Sequence, residues 1–386
     1  MSRARRVLFV SNGHGEAAIS GRIAREMTTR APNVALDHFP LVGLGEGIAS
    51  LQAVGPRRTM PSGGLVAMGN VRAFAADVRA GFLTLFAAQV AFLRSASRAY
   101  DLALAVGDAY ALAMTLLARL PTLFVGTAKS AYVAPYGPFE RLVLRAALRA
   151  FVRDEPTAVR LRAEGVRRAE APGNVIVDLL DSSAPAAAGR WIGILPGSRA
   201  AAYREAVRLG RVLRALSELR ADGLGGLLSV APGLDPVRFG ELLAADGWTV
   251  GAADASERPF IARAGEATLV AWRGSLGALL RASILVLGQA GTANEAAAAF
   301  GLPVVALDDP AGRAGAWYRM RQKRLLGDAL ALIPPEPPAA ARALTALLDD
   351  PVRLQRMREA GPHRLGPPGG AAAIAGAALT ALGSGR

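Results

Sequence analysis

The chain has 386 residues, of which 52% are apolar and 20% charged, with no cysteine and a formal net charge of +14. This composition excludes a disordered chain, a disulfide framework and thiolate chemistry, and the length exceeds one ordinary hydrophobic core, so two domains are expected. A pI near 11.2 suits an anionic membrane face or nucleic acid, but the basic residues are spread along the chain, nearly all Arg with only Lys129 and Lys323 as exceptions, and no basic block alternates with aromatics, so nucleic acid is not an expected partner.

In chain order, "MSRARRVLFVSNGHGE" passes from a basic start through a short apolar run into Asn-Gly rather than a small-residue cleavage site. No secretory signal is expected, and the reading is a cytosolic protein. Short apolar runs ending in glycine then alternate with helical patterns, the signature of parallel strands joined by crossover helices. The first half supplies the strand candidates "RVLFVSNG", "ALDHFPLVG", "LALAVGD", "PTLFVGT", "AFVRD" and "NVIVDLL". Residues 71–100 carry the apolar stretch "GFLTLFAAQVAFL", too short to span a bilayer and flanked by Arg72, Arg79, Arg94 and Arg98. Two readings stand for it, a helix lying in a membrane interface and ordinary helices packed on the first sheet.

After the Ser-, Pro- and Ala-rich linker "LLDSSAPAAAGR", the second half supplies "WIGILPG", "GLLSVAPG", "ATLVAW", "SILVLG" and "PVVALDD". The expected fold class is α/β, two open Rossmann-like domains in tandem facing each other across a cleft. The first covers 1–180 and the second 190–362, with 363–386 a C-terminal helix that packs back on the first domain.

Open parallel sheets bind ligands beyond the carboxyl ends of their strands, and there the chain places "SNGHGE", "GD", "GTAKS", "PGSR", "APG", "WRGS" and "GQAGT". In "ILPGSR", Gly197 admits close backbone approach to an anion, Ser198 can cap the following helix or donate to a phosphate, and Arg199 adds a charged fork, so the turn reads as a diphosphate cradle or a plain strand-to-helix turn. In "GQAGTANE", Gly291 and Thr292 open a second helix toward the same phosphates. Glu295, in its first turns, can accept both hydroxyls of a ribose or simply complement the helix dipole.

The succession of "LPGSR", "GQAGTANEAAAAFGLPVV" and "YRMRQKRLLG", preceded by "SNGHGE", "VGD" and "APGNVIVDLL", resembles lipid-A-disaccharide synthases over nearly the whole chain. The branch most resembled is the lipid-A-disaccharide synthase-related proteins. The resemblance implies a GT-B fold and sugar transfer from a UDP-sugar co-substrate to a lipid acceptor at the inner face of the cytoplasmic membrane. No other cofactor is implied. It places Ser198, Arg199 and Thr292 at the diphosphate, Glu295 on the ribose, Gln322 near the donor sugar or phosphate, and backbone groups around Arg273 against uracil.

An inverting transferase needs one base, and the candidates are Asp108, matching the family's aspartate, His14 and Glu16. Each has a bland reading as well: a helix cap for Asp108, a dipole partner for Glu16, a loop hydrogen bond for His14. No ligand-spaced cluster suggests a metal. "SNGHGE" departs from the Gly-Glu-Ala-Ser-Gly-Asp type of loop of the disaccharide synthases, which leaves a diacylglycerol-type or isoprenoid-linked acceptor open. The rival readings are a UDP-sugar 2-epimerase and a non-catalytic lipid- or nucleotide-sugar-binding protein.

Overall fold

Buried apolar runs such as "RVLFVS" and "LALAVG" have no polar face, so they form strands only where both faces of a sheet are covered by helices. The computed structural model describes residues 4–45, 51–58, 78–127, 129–180, 189–198, 200–220, 222–231, 233–308 and 313–384. Arg199, part of the 71–100 segment and the 181–188 linker therefore lie outside the described residues, as does the side chain of His14. The chain divides into two units, Met1–Leu179 with Gly366–Arg386, and Leu180–Leu365.

The first unit contains β1 (Arg6–Ser11), α1 (His14–Arg30), β2 (Ala35–Pro40), β3 (Gln52–Ala53), α2 (Phe82–Ala96), β4 (Leu102–Gly107), α3 (Ala109–Leu116), β5 (Thr122–Gly126), α4 (Pro138–Leu144), β6 (Arg149–Phe151), α5 (Glu155–Ala163), β7 (Ala169–Glu170) and α6 (Val175–Asp178). Its strands pair in parallel in the order β3-β2-β1-β4-β5-β6-β7. Side-chain alternation along β1 divides the core: Val7 and Phe9 join Ile19, Ile23 and Met27 of α1, while Leu8 and Val10 join Phe39, Leu93 of α2 and Met114 of α3.

The second unit contains β8 (Trp191–Leu195), α7 (Ala201–Leu219), β9 (Gly225–Ser229), α8 (Pro236–Ala245), β10 (Thr249–Ala255), β11 (Arg258–Ala264), β12 (Ala267–Trp272), α9 (Leu276–Ala282), β13 (Ser283–Gly288), α10 (Thr292–Ala299), β14 (Val304–Leu307), α11 (Arg313–Leu326), β15 (Leu330–Ile333), α12 (Pro337–Leu348) and α13 (Pro351–Leu365). The sheet order is β10-β11-β12-β9-β8-β13-β14-β15, parallel except for the antiparallel β10-β11-β12 edge. Ile192 and Ile194 of β8 face α7, α8 and α12 through Leu209, Leu213, Phe239 and Leu344. Between them Gly193 faces the other way, where a Cβ would lie 3.0 Å from Leu279 of α9.

The last helix, α14 (Gly370–Ser384), belongs to the first unit. Ile374, Ala375, Ala378 and Leu382 continue the apolar face that α1 presents to the sheet. The returning chain is fastened by its backbone: Asn174 N–H donates to Pro367 O at 2.6 Å, and the Asp178 carboxylate accepts from Gly369 N at 2.6 Å and Ala371 N at 2.7 Å. Glycine at both contact points makes this approach possible, because a Cβ on Gly370 would stand 2.4 Å from Gly173 O.

Three expectations are corrected. "NVIVDLL" is not a strand but the short helix α6, because the Asn174 side chain accepts from Ile176 N at 2.9 Å and caps a turn there. The β10-β11 hairpin and β15 were not expected: the hairpin strands, TVGAADA and RPFIARA, are rich in alanine and interrupted by Gly251 and Pro259, which weakens their strand pattern. Ser198 does not cap α7; the N-cap is Ala200, itself helical in φ and ψ, with no side-chain hydrogen bond.

His38, in β2, is fully buried against the Ser11 hydroxyl at 2.8 Å. Burial, reinforced by the charge of Arg57, pushes its pKa down to about 4. The unfolded chain therefore binds this proton first, so the contribution is fully present above pH ~6.5 and is lost as pH falls toward 4, by roughly 3 kcal/mol in all. Chemical denaturation across that range should show the loss in the wild type and a flatter profile in His38→Gln.

Candidate functional site

The strand order reverses between β1 and β4 in the first unit and, among the parallel strands of the second, between β8 and β13. At such a point adjacent connections leave toward opposite faces and open a crevice at the carboxyl edge. Asp108 and Glu16 lie at the first of these places and Gly197, Ser198, Gly291, Thr292 and Glu295 at the second, whereas Arg273 follows β12, two strands away from β8.

In the second unit, Gln289 N–H and Ala290 N–H both donate to Leu195 O, at 2.9 and 3.2 Å, which ties the loop after β13 to the end of β8. Asn294, wholly buried, donates its amide to Gly288 O at 3.1 Å. A Cβ on Gly288 would lie 2.2 Å from Asn294 Oδ1, so only glycine lets the helix start this close to the strand end. Gln322 of α11, also buried, donates to Ala290 O at 3.0 Å. Its amide thus supports from beneath the loop that leads into α10.

That scaffold leaves α10 beginning at Thr292 after Gly291, with no side-chain cap and its first intrahelical bond from Glu295 N to Gly291 O. The amides of the turn before that bond have no intrahelical acceptor and carry the positive end of the helix dipole. Thr292 is exposed, and Glu295, three residues on along the same face, is half-buried. On the neighbouring strand, Gly197 has φ +115° with no atom within 4 Å of where a Cβ would be, and α7 also begins without a side-chain cap. Two helix starts without a side-chain cap and an open glycine turn thus follow adjacent strands, an arrangement able to receive an anion.

The "AWRGS" turn is less available than expected. Arg273 is exposed, but its backbone N–H donates to Glu257 O at the hairpin end at 2.7 Å. Trp272 Nε1 donates to Ser275 O at 2.9 Å, and Ser275 Oγ accepts from Ala278 N at 3.1 Å. The Arg273 amide is therefore already engaged, and of its backbone groups only the carbonyl remains for reading a base.

In the first unit, Asp108 stands directly after β4 and is the N-cap of α3, its Oδ1 accepting from Ala111 N at 3.0 Å. Its charge is felt nearby: Tyr110 is pushed up to about 12, first by burial and then by Asp108. Gly107 has φ +139°, and a Cβ there would lie 2.2 Å from Asn12 Oδ1 and 3.4 Å from Glu16 Cγ. Glu16, in the first turn of α1, accepts from the Thr127 hydroxyl after β5 at 3.2 Å. The loops after β1, β4 and β5 thus converge on Asp108 and Glu16, while His14 contributes the first residue of α1.

Sequence reading missed Asn12, Thr127 and Asn294. For Asn294 the signal was present, an Asn in a helix's first turn six residues after a strand-ending glycine. For Thr127 only "GTAKS" after a strand marked it.

No family model and no curated protein matches the chain. Solved structures do match over essentially its full length. A putative UDP-N-acetylglucosamine 2-epimerase from Listeria monocytogenes is 15% identical, covers 99% of this chain and 97% of its own, and gives a TM-score of 0.64. MurG from Acinetobacter baumannii is 13% identical over 97% of this chain and 99% of its own, with a TM-score of 0.58. CalG4, the calicheamicin glycosyltransferase, is 15% identical over the whole of both chains, with a TM-score of 0.57. The chain therefore has the two-domain GT-B fold that these glycosyltransferases and epimerases share.

Because Gln322 props up the loop carbonyl from a buried position, Gln322→Met should destabilise the second unit by about 1–3 kcal/mol in chemical denaturation.

Proposed function

We propose that the protein is a UDP-sugar glycosyltransferase of the lipid-A-disaccharide synthase-like kind, transferring a sugar to a lipid acceptor at the cytoplasmic membrane face. The observation that carries the reading is the pair of uncapped helix ends on adjacent strands of the second unit, with Gly197 open beside them. Such a cradle suits a diphosphate, and Glu295 suits the ribose hydroxyls next to it. Arg199 would add charge to the leaving group. The nucleotide belongs to the second unit in this reading, and the acceptor with its base to the first.

In the reaction, the acceptor oxygen forms a bond to the anomeric carbon from the face opposite the diphosphate. The bond from that carbon to the β-phosphate oxygen breaks, the pair of electrons leaves with UDP, and the acceptor's proton passes to a carboxylate. Asp108 and Glu16 are the carboxylates at the first unit's crevice. The leaving diphosphate is stabilised by helix-end amides and arginine, so the proposed mechanism assigns no role to a metal.

Membrane contact is part of the proposal. Helix α2 buries Gln89, Leu93 and Ala96 against the unit and turns Leu83 and Phe86 outward, with Arg79, Arg94 and Arg98 exposed around them. An apolar ridge ringed by arginine fits an anionic bilayer surface. A second reading, a UDP-sugar 2-epimerase, is favoured by the TM-score of 0.64 with the Listeria protein described as a putative epimerase.

Turnover of UDP-GlcNAc, UDP-glucose, UDP-galactose and a diacylated UDP-glucosamine with mixed-lipid vesicles and EDTA separates the readings. The transferase releases UDP only with lipid; an epimerase converts the sugar without releasing UDP and ignores lipid. UDP binding by calorimetry should weaken about ten- to a hundredfold in Glu295→Ala. Co-sedimentation with anionic vesicles should fall several-fold in the Leu83→Ser/Phe86→Ser double variant, with UDP binding unchanged.

A further inference from the structure

The two carboxylates at the first unit's crevice are held in different ways. Asp108 spends Oδ1 on the Ala111 amide, and that bond is the N-cap of α3. That bond ties the Asp108 carboxylate to the start of α3. Glu16, in the first turn of α1, is held instead by a side-chain contact, the Thr127 hydroxyl after β5.

The surroundings of Glu16 are cleared for it. A Cβ on Gly13 would come within 2.4 Å of Glu16 Oε2, and one on Gly107 would lie 3.4 Å from Glu16 Cγ. The glycine of "SNG" and the glycine of "VGD" therefore leave room for one side chain in one conformation. The Thr127 hydroxyl donates to Glu16 Oε1 at 3.2 Å from 111 residues away, and the Thr127 backbone is itself fixed by donation to Gly107 O at 3.1 Å. A hydroxyl donor on one carboxylate oxygen orients the group and leaves the other oxygen for a substrate proton.

We propose that Glu16 is the group that takes the acceptor's proton, and that Thr127 is its positioning residue, while Asp108 serves chiefly as the cap of α3. The inference rests on the transferase reading above. As the acceptor oxygen bonds to the anomeric carbon and UDP leaves, the acceptor's proton goes to Glu16 Oε2, and Thr127 keeps Oε1 anchored throughout.

The test is the steady-state kinetics of Glu16→Gln, Asp108→Asn, Thr127→Val and Thr127→Ser, with UDP affinity and melting temperature measured on each. Glu16→Gln should lower kcat at least a hundredfold. Thr127→Val should lower kcat about tenfold with KM for the UDP-sugar unchanged, and Thr127→Ser should restore most of the rate, because only the hydroxyl is required. A merely structural Thr127 would lower melting temperature and leave this kcat pattern absent. Full activity in Glu16→Gln, or equal losses in Thr127→Val and Thr127→Ser, overturns the inference while leaving the transferase reading intact. A wild type that neither binds UDP nor turns over any UDP-sugar overturns both.

Discussion

The architecture turns on one constraint, met twice: where the order of parallel strands reverses, two strand ends must lie side by side while their following helices depart to opposite faces. The backbone can do this only if nothing protrudes between the ends. Glycine supplies the gap in both units, with Asn12 laid against Gly107 in the first and Asn294 against Gly288 in the second, each with an oxygen 2.2 Å from where a Cβ would be. A methyl group at either glycine would push the loop away from the crevice that the reversal opens.

From that constraint follow the electrostatics. Helices that start at a crevice without a side-chain cap leave their first amides unsatisfied, and an anion is the natural partner. In the second unit both α7 and α10 are of this kind. In the first unit α3 is capped by Asp108 while α1 begins at Gly13. The second unit's crevice thus has helix starts without a side-chain cap, and the first unit's crevice carries the carboxylates of Asp108 and Glu16. In the neighbouring strand, burial beside Ser11 pushes the His38 pKa down to about 4.

Much of this was legible in the sequence because it is local. A run such as "SILVLG" is apolar throughout and ends in glycine, which is sufficient for a buried parallel strand and for the start of the next helix. The same logic failed for "NVIVDLL", where five apolar residues look like a strand until the Asn174 cap is counted, and for the β10-β11 hairpin, whose strands are broken by glycine in one and proline in the other. Ser198 looked like a cap because it is the right residue near a helix start, yet α7 begins after Ala200.

The sequence by itself determined the α/β class, the reversal loops and the residue types that border them, since strand period, glycine turns and helix starts depend on neighbours a few positions apart. Only the tertiary structure decided which of those residues meet. Pairing β4 with β5 in parallel register brings Thr127 to Glu16, and the packing of α11 puts Gln322 under Ala290 O. The same nonlocal pairing sets the hairpin carbonyl of Glu257 on the Arg273 amide. Contacts across a hundred residues are set by sheet register and helix packing, and no local pattern of apolar and polar residues encodes them.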